Sequence, residues 1–361
     1  MLREYWYCRY CFTFHERSSH TYLTIHTEKM RPIGICFSGS GHLLVYHLGV
    51  AKKLRQSAWA PNIVTYAGAS GGAIAAAVCA LLPKNEDLEA FVEESALQCD
   101  SFGGLARALG VELPIAMDRG PIPNARVPPI PEEAVRGMSG SLFIGATECR
   151  TGRRALFAHF SSSAQLMQCI LASATIPRSA HPFDLFKSPS NPPTYPEGEG
   201  IVIPSACEWG ISRDDDHEAV PHTPYGGAFV DGGLTAAIPI PPPELQLALV
   251  TVAPVSGPRG ALHLASSAHV HVCPLDGSLK VPFIAPSLAG LRCYLSRDNL
   301  VAARHTLGAS PKTLRRWFER GQQDADLLLR SHASWPTSMS HDKRAGSLSN
   351  SGDRRASRCQ P

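Results

Sequence analysis

The chain contains no long hydrophobic run. Its longest apolar stretch, residues 73–82, falls well short of the roughly twenty residues a helix needs to cross a bilayer. Charge is scarce as well: only 18% of the 361 residues are charged, with a formal net charge of +3. A balance this close to neutral lacks the basic footprint of a nucleic-acid-binding protein, so no nucleic-acid partner is expected. It permits weak attraction to an anionic membrane without demanding it. The first residues lack a charged start followed by an apolar core and a small-residue cleavage site, so no secretory signal is expected. A disulfide framework is missing too. The 11 cysteines are odd in number and scattered, and Cys36, Cys79 and Cys169 lie inside apolar runs as small core residues. That usage points to a reducing, cytoplasmic compartment. There is no internal repeat.

What is present is a series of strand–turn–helix units. Residues 1–30 are polar and aromatic without a period and read as a poorly ordered leader. Cys8, Cys11, His15 and His20 within them have only a loose zinc-like spacing and lack the compact glycine-turned knuckle of a structural site, so no metal is expected. Ile33 to Phe37 reads as a buried strand, and Leu43, Tyr46, His47, Val50 and Leu54 recur at helical spacing. His47, on the apolar face of that helix, is expected to be a hydrogen-bonded core residue. Residues 62–66 form a second strand candidate, and residues 71–82 a tightly packed helix. Asn85 is placed to cap a helix whose shared face holds Leu88, Phe91, Val92, Ala96 and Cys99. Residues 103–131 read as a loop, 142–146 as a strand and 164–174 as a helix. Residues 187–226, rich in Pro, Ser, Gly and acids, read as a surface insertion. Strands follow at 228–230 and 245–252, then helices at about 296–307 and 311–332. The expected organisation is a domain over 31–335 and a disordered tail over 336–361. The alternation argues for an α/β sheet wrapped by helices.

Three short motifs carry chemistry. Gly68-Ala69-Ser70-Gly71-Gly72 follows a strand and precedes a helix, the context of a nucleophile elbow. A serine on so sharp a turn needs small neighbours, here Gly68 and Gly72, and stands at a helix N-terminus that favours negative charge. Upstream, Gly39, Ser40 and Gly41 can present backbone N–H groups to an anion, as an oxyanion hole would. A dinucleotide fingerprint fits poorly, because Leu44 stands where its third glycine is expected. Downstream, Asp231 ends an apolar strand and is followed by Gly232 and Gly233. A serine needs a base as it attacks, and a partly desolvated aspartate within reach can serve. Ser70 as nucleophile and Asp231 as general base are therefore the candidate catalytic pair.

These residues resemble patatin-like phospholipases, especially the adipose triglyceride lipase and adiponutrin subgroup. The resemblance is carried by Cys36-Phe37-Ser38-Gly39-Ser40-Gly41 with Tyr46-His47-Leu48-Gly49-Val50, by Gly68 to Ala73, by Cys169-Ile170-Leu171-Ala172-Ser173-Ala174-Thr175-Ile176-Pro177, by Asp231-Gly232-Gly233, and by Gly321-Gln322-Gln323-Asp324-Ala325. It covers about 31–330. It implies a three-layer α/β/α sandwich with a mostly parallel central sheet. It also implies a Ser–Asp dyad, an oxyanion hole in the first glycine loop, and phospholipid or acylglycerol ester substrates met at a membrane or lipid-droplet surface. No cofactor is implied, and protein partners stay unknown. The family's first motif ends in glycine where this chain has Leu44, whose branched side chain is expected to crowd the elbow.

Two other readings remain open at this level. An α/β-hydrolase would recruit a later histidine, His263, His269, His271 or His305, into a Ser–Asp–His triad. A catalytically weak lipid-binding or scaffold protein would keep the fold without turnover.

Overall fold

A computed structural model describes residues 31–94, 96–98, 132–181, 192–203, 227–257, 269–274, 287–288, 291–332 and 335. The leader 1–30 with its Cys and His residues, the loop 103–131, His263 and the tail 336–361 lie outside the described residues, and the loop and tail bounds touch them only at Trp335 and Glu132.

Strand β1 (Ile33–Phe37) is buried at every position, which explains its uninterrupted apolar run. It leads through the glycine loop into α1 (Leu44–Arg55). Strand β2 (Ile63–Ala69) runs parallel to β1 and ends one residue before α2 (Gly71–Leu81). Helix α2 is built almost wholly of Gly, Ala and small aliphatics, so it packs with its backbone close to the sheet. Arg55 of α1 reaches the far end of α2 and donates to the carbonyls of Leu82, at 2.7 Å, and Cys79. A cation there satisfies orphan carbonyls and complements the helix dipole.

Helix α3 (Asn85–Glu94) follows. Asn85 begins this helix rather than capping it, and its buried Oδ1 takes no hydrogen bond among the described residues. Ala96 lies beyond the helix on a separate short turn, Ala96–Gln98, and Cys99 lies outside the described residues. After α4 (Glu132–Gly137) come β3 (Leu142–Glu148) and β4 (Arg154–Phe157), then α5 (Ser163–Ala174). Ser162 caps α5, its hydroxyl accepting from the Gln165 N–H at 3.1 Å.

Of the stretch 187–226 only residues 192–203 are described. Its residues Ile201–Ile203 form β5, an edge strand of the main sheet that pairs antiparallel with β6 (Gly227–Asp231). Three residues are too few to show a period, and backbone pairing, not side-chain pattern, holds them. Strands β7 (Ala248–Val252) and β8 (His269–Val272) come next, with β7 starting after a short turn at Pro243–Leu245. A two-stranded pair, β9 (Ser287–Leu288) and β10 (Leu291–Arg292), precedes α6 (Arg297–Leu307) and α7 (Pro311–Ser331).

The main sheet has eight strands in the order β5-β6-β3-β2-β1-β7-β8, with β4 paired to β3. Strands β3, β2, β1, β7 and β8 run parallel, and β4, β5 and β6 join antiparallel. With helices around it, this is the mixed α/β fold with a mostly parallel sheet expected above. One register positions the chemistry. Strand β3 pairs with β2 up to Gly145, opposite Ala69, and with β6 from Ala146, opposite Asp231. Consecutive residues of β3 thus bring together the end of the strand that carries Ser70 and the end of the strand that carries Asp231.

Candidate active site

Ser70 follows β2 with φ 55° and ψ −126°, a left-handed conformation that a non-glycine residue rarely adopts. Holding such a residue costs about 1–3 kcal/mol. A serine before a helix ordinarily turns its hydroxyl back to cap the first turn. At this φ it makes no such bond, and the Ser70 side chain instead acts on the Asp231 carboxyl, holding its pKa down. Both residues are buried.

The strain at Ser70 is held by a side chain to which the sequence assigned no role. Ser173, near the end of α5, accepts the Ser70 N–H at 2.9 Å and donates to the Gly145 carbonyl at 2.6 Å. It ties elbow to sheet. The clue in the sequence was a serine inside the buried, apolar 164–174 helix, since buried hydroxyls are almost always bonded. Ser173→Ala would orphan an N–H and a carbonyl, costing about 1–3 kcal/mol of stability. The expected result is a lowered midpoint in urea together with slower turnover, because the elbow loses its anchor.

Asp231 is fastened on every side. Its N–H donates to Thr175 O at 2.8 Å, its carbonyl accepts from Thr147 Oγ1 at 2.8 Å, and its Oδ1 accepts from the Gly233 N–H at 2.7 Å. Burial raises its carboxyl to about 6, and the bonds from Ser70 and Gly233 limit the rise. A carboxylate poised there is ionised at neutral pH yet basic enough to take a proton.

The glycine loop lies against this pair. A Cβ on Gly39 would stand 3.6 Å from both Ser70 Cβ and Gly233 Cα, and one on Gly71 would stand 2.8 Å from Gly41 N. The Gly39 amide itself is engaged, donating to Ala237 O at 2.9 Å. This corrects the expectation for that residue: its N–H already has an acceptor. No backbone acceptor among the described residues takes the Ser40 or Gly41 amide. Beneath the loop His47 is fully buried, 3.4 Å from the hydroxyls of both Ser38 and Ser40 and stacked on Phe37. Burial lowers it to about 3, so it is neutral, the core residue expected above.

Leu44 is fully buried at the start of α1 with φ −51° and ψ −27°. That is ordinary helical backbone, which leucine adopts without strain. The residues pressed against the loop are Gly71 and Gly72.

The described histidines of the triad reading, His269, His271 and His305, have other partners. His269 Nε2 and His271 Nδ1 both meet Thr251 Oγ1, at 2.7 and 2.8 Å. His305 Nδ1 accepts from Trp317 Nε1 at 3.1 Å. Among the described residues no group of three or more His, Cys, Asp or Glu is placed to hold a metal ion. Nor is any described helix long and apolar enough to cross a membrane.

Comparison with known proteins identifies the family of this chain. Residues 35–243, more than half of the chain, match the family model of patatin-like phospholipases. The chain is 27% identical over 235 residues to human patatin-like phospholipase domain-containing protein 4, covering 63% of this chain and 74% of the relative. It is 25% identical over 300 residues to rat patatin-like phospholipase domain-containing protein 2, covering 82% of this chain. It spans about half the length of that second relative, 50%. Among solved structures it shows a distant likeness to VipD from Legionella pneumophila, with 11% identity, a TM-score of 0.39, and coverage of 84% of this chain and 67% of the other. The elbow, the aspartate motif and the glycine loop all fall within the matched residues, and the chain belongs to the patatin-like phospholipase family.

Proposed function

We propose that this protein is a serine lipid acyl hydrolase that cleaves carboxylic esters of phospholipids or acylglycerols through Ser70 and Asp231. Family membership supports lipid acyl hydrolysis in general. The observation that carries the finer reading is that β3 aligns the strand end bearing the strained, buried Ser70 with the strand end bearing the buried Asp231, whose carboxyl Ser70 holds down.

In this reading Asp231 takes the Ser70 proton as the oxygen attacks the ester carbonyl. The tetrahedral oxyanion is met by the amides of Ser40 and Gly41 and by the N-terminus of α2. One such donor typically contributes about 2.7–4 kcal/mol. The proton passes from Asp231 to the leaving alcohol, giving an acyl ester on Ser70. Asp231 then activates water to release the fatty acid, and the Ser70 hydroxyl is restored. The route uses no cofactor.

The test is a lipid panel of phospholipids and tri-, di- and monoacylglycerols, run with wild type and Ser70→Ala. Fatty acid release from at least one class, absent in the variant, is expected. A fluorophosphonate probe should form an adduct on Ser70 of the folded chain. Folded protein that yields neither would favour a lipid-binding role without turnover.

A further inference from the structure

The helix next to the glycine loop has two unlike faces. On its inner face α6 is bolted to the domain. Asn299 accepts from the Ser256 N–H at 2.8 Å and donates to the carbonyls of Ser256, at 2.8 Å, and Tyr294, at 2.7 Å. Ala302 is buried. The backbone of Thr306 lies directly on Gly41: with φ +49°, Gly41 has no room for a Cβ, which would stand 3.0 Å from the Thr306 carbonyl carbon and closer still to its oxygen. A helix seated this closely fixes its outer face relative to the candidate oxyanion amides.

The outer face is aliphatic and cationic. Arg297, Leu300, Arg304 and Leu307 follow at spacings of three and four, so they form one stripe along the helix. Leu300 is 62% exposed and Leu307 63%, and Val301 and Leu295 are exposed beside them. Neither Arg297 nor Arg304 forms an ion pair with an acidic group among the described residues. Asp298, the acid of this helix, is off the stripe. The next helix adds exposed Lys312 and Arg316 within its first two turns. Water is a poor solvent for two such exposed leucines, and the arginines that alternate with them argue against an apolar protein partner. Aliphatic tips between cations match the boundary of an anionic bilayer, where leucines enter the acyl region and arginines meet the headgroups.

We propose that the outer face of α6 is the surface by which this protein seats on an anionic phospholipid membrane, with α6 between the bilayer and the glycine loop it covers. The inference rests on the lipid hydrolase reading for its purpose, while its test does not require turnover.

The experiment uses the full chain with Ser70→Ala, so vesicles stay intact. Co-sedimentation is measured with vesicles of phosphatidylcholine alone and with added phosphatidylserine. Binding is expected to the mixed vesicles. Leu300→Gln with Leu307→Gln should weaken it by about tenfold or more, and Arg297→Gln with Arg304→Gln should erase the preference for phosphatidylserine. In the chain that keeps Ser70, the leucine pair variant should hydrolyse the soluble ester p-nitrophenyl butyrate at the wild-type rate. Absence of vesicle binding, or binding that both pairs leave unchanged, would overturn the proposal. So would a dimer in sedimentation velocity that the leucine pair dissolves, or a lowered thermal midpoint in that variant, since the face would then be covered by protein. A wild type that binds vesicles but hydrolyses no ester would defeat the hydrolase reading alone.

Discussion

Asp231→Asn should abolish ester hydrolysis, by about 10³–10⁴-fold, without loss of stability at neutral pH. The amide keeps the shape and can still accept the Gly233 N–H, which Asp231 Oδ1 now takes at 2.7 Å. What it loses is basicity, so the Ser70 proton has no acceptor. The stability half follows from linkage. The folded carboxyl titrates at about 6, raised by burial from an ordinary value near 4, so the folded state holds this proton more tightly than the unfolded state. Below about pH 4 the group is neutral in both states and costs nothing. As pH rises from about 4 to about 6 a penalty accumulates, reaching about 3 kcal/mol above that window. Asparagine carries no such penalty. Urea unfolding of wild type and variant at pH 4 and pH 7 measures the difference, which should shift in favour of the variant at the higher pH. The same carboxyl should shape the activity of wild type: kcat/KM for a soluble ester should rise with pH through about 6 and then level. His47 at about 3 and His271 at about 4 lie too low to produce that limb. A rate independent of pH between 4 and 7, or an active asparagine variant, would reject Asp231 as the base.

Gly72→Ala should cost about 3 kcal/mol or more and remove activity with it. A Cβ at this position would drive into Ser38 O and stand 2.7 Å from Phe37 O. Both obstacles are backbone at the end of β1, so no side-chain rotation relieves them. Helix α2 would have to lift away from β1, carrying Ser70 off the glycine loop. Gly198→Ala is the control. Nothing lies within 4 Å of a Cβ there, and its effect should stay within about 0.5 kcal/mol. Equal unfolding midpoints for the two variants would show that the close approach at Gly72 is not needed.

Most of the frame was legible in the chain because its signals are local. Strand β1 announces itself by five buried positions in a row, and α1 by the recurrence of Tyr46, Val50 and Leu54. The two glycine-flanked motifs named Ser70 and Asp231, and strand β3 pairs with the ends of the two strands that carry them. The elements that escaped have no local signature. Strand β5 is three residues long, and β8, His-Val-His-Val, is too short to separate from a loop. Strand β4 begins with an arginine whose Nε is spent on Thr235 O, across the sheet from its own neighbours in sequence. Asn85 looked like a cap because residue type was visible and backbone geometry was not.

By itself the sequence determined which residues could react and where the chain had to be small: a serine between glycines, an aspartate before two more, and apolar runs long enough for a buried sheet. These depend on residue type and spacing alone. Only the tertiary structure decided which hydroxyl holds the elbow, which loop amide is already engaged, and which side of α6 faces outward. Each of those depends on a partner brought in by strand register from elsewhere in the chain. Ser173 reaches Ser70, and Ala237 takes the amide of Gly39, because β3 aligns Gly145 and Ala146 with the ends of β2 and β6. Hydrogen-bond partners across a fold leave no period in the residues that make them, and so they cannot be read until the strands are paired.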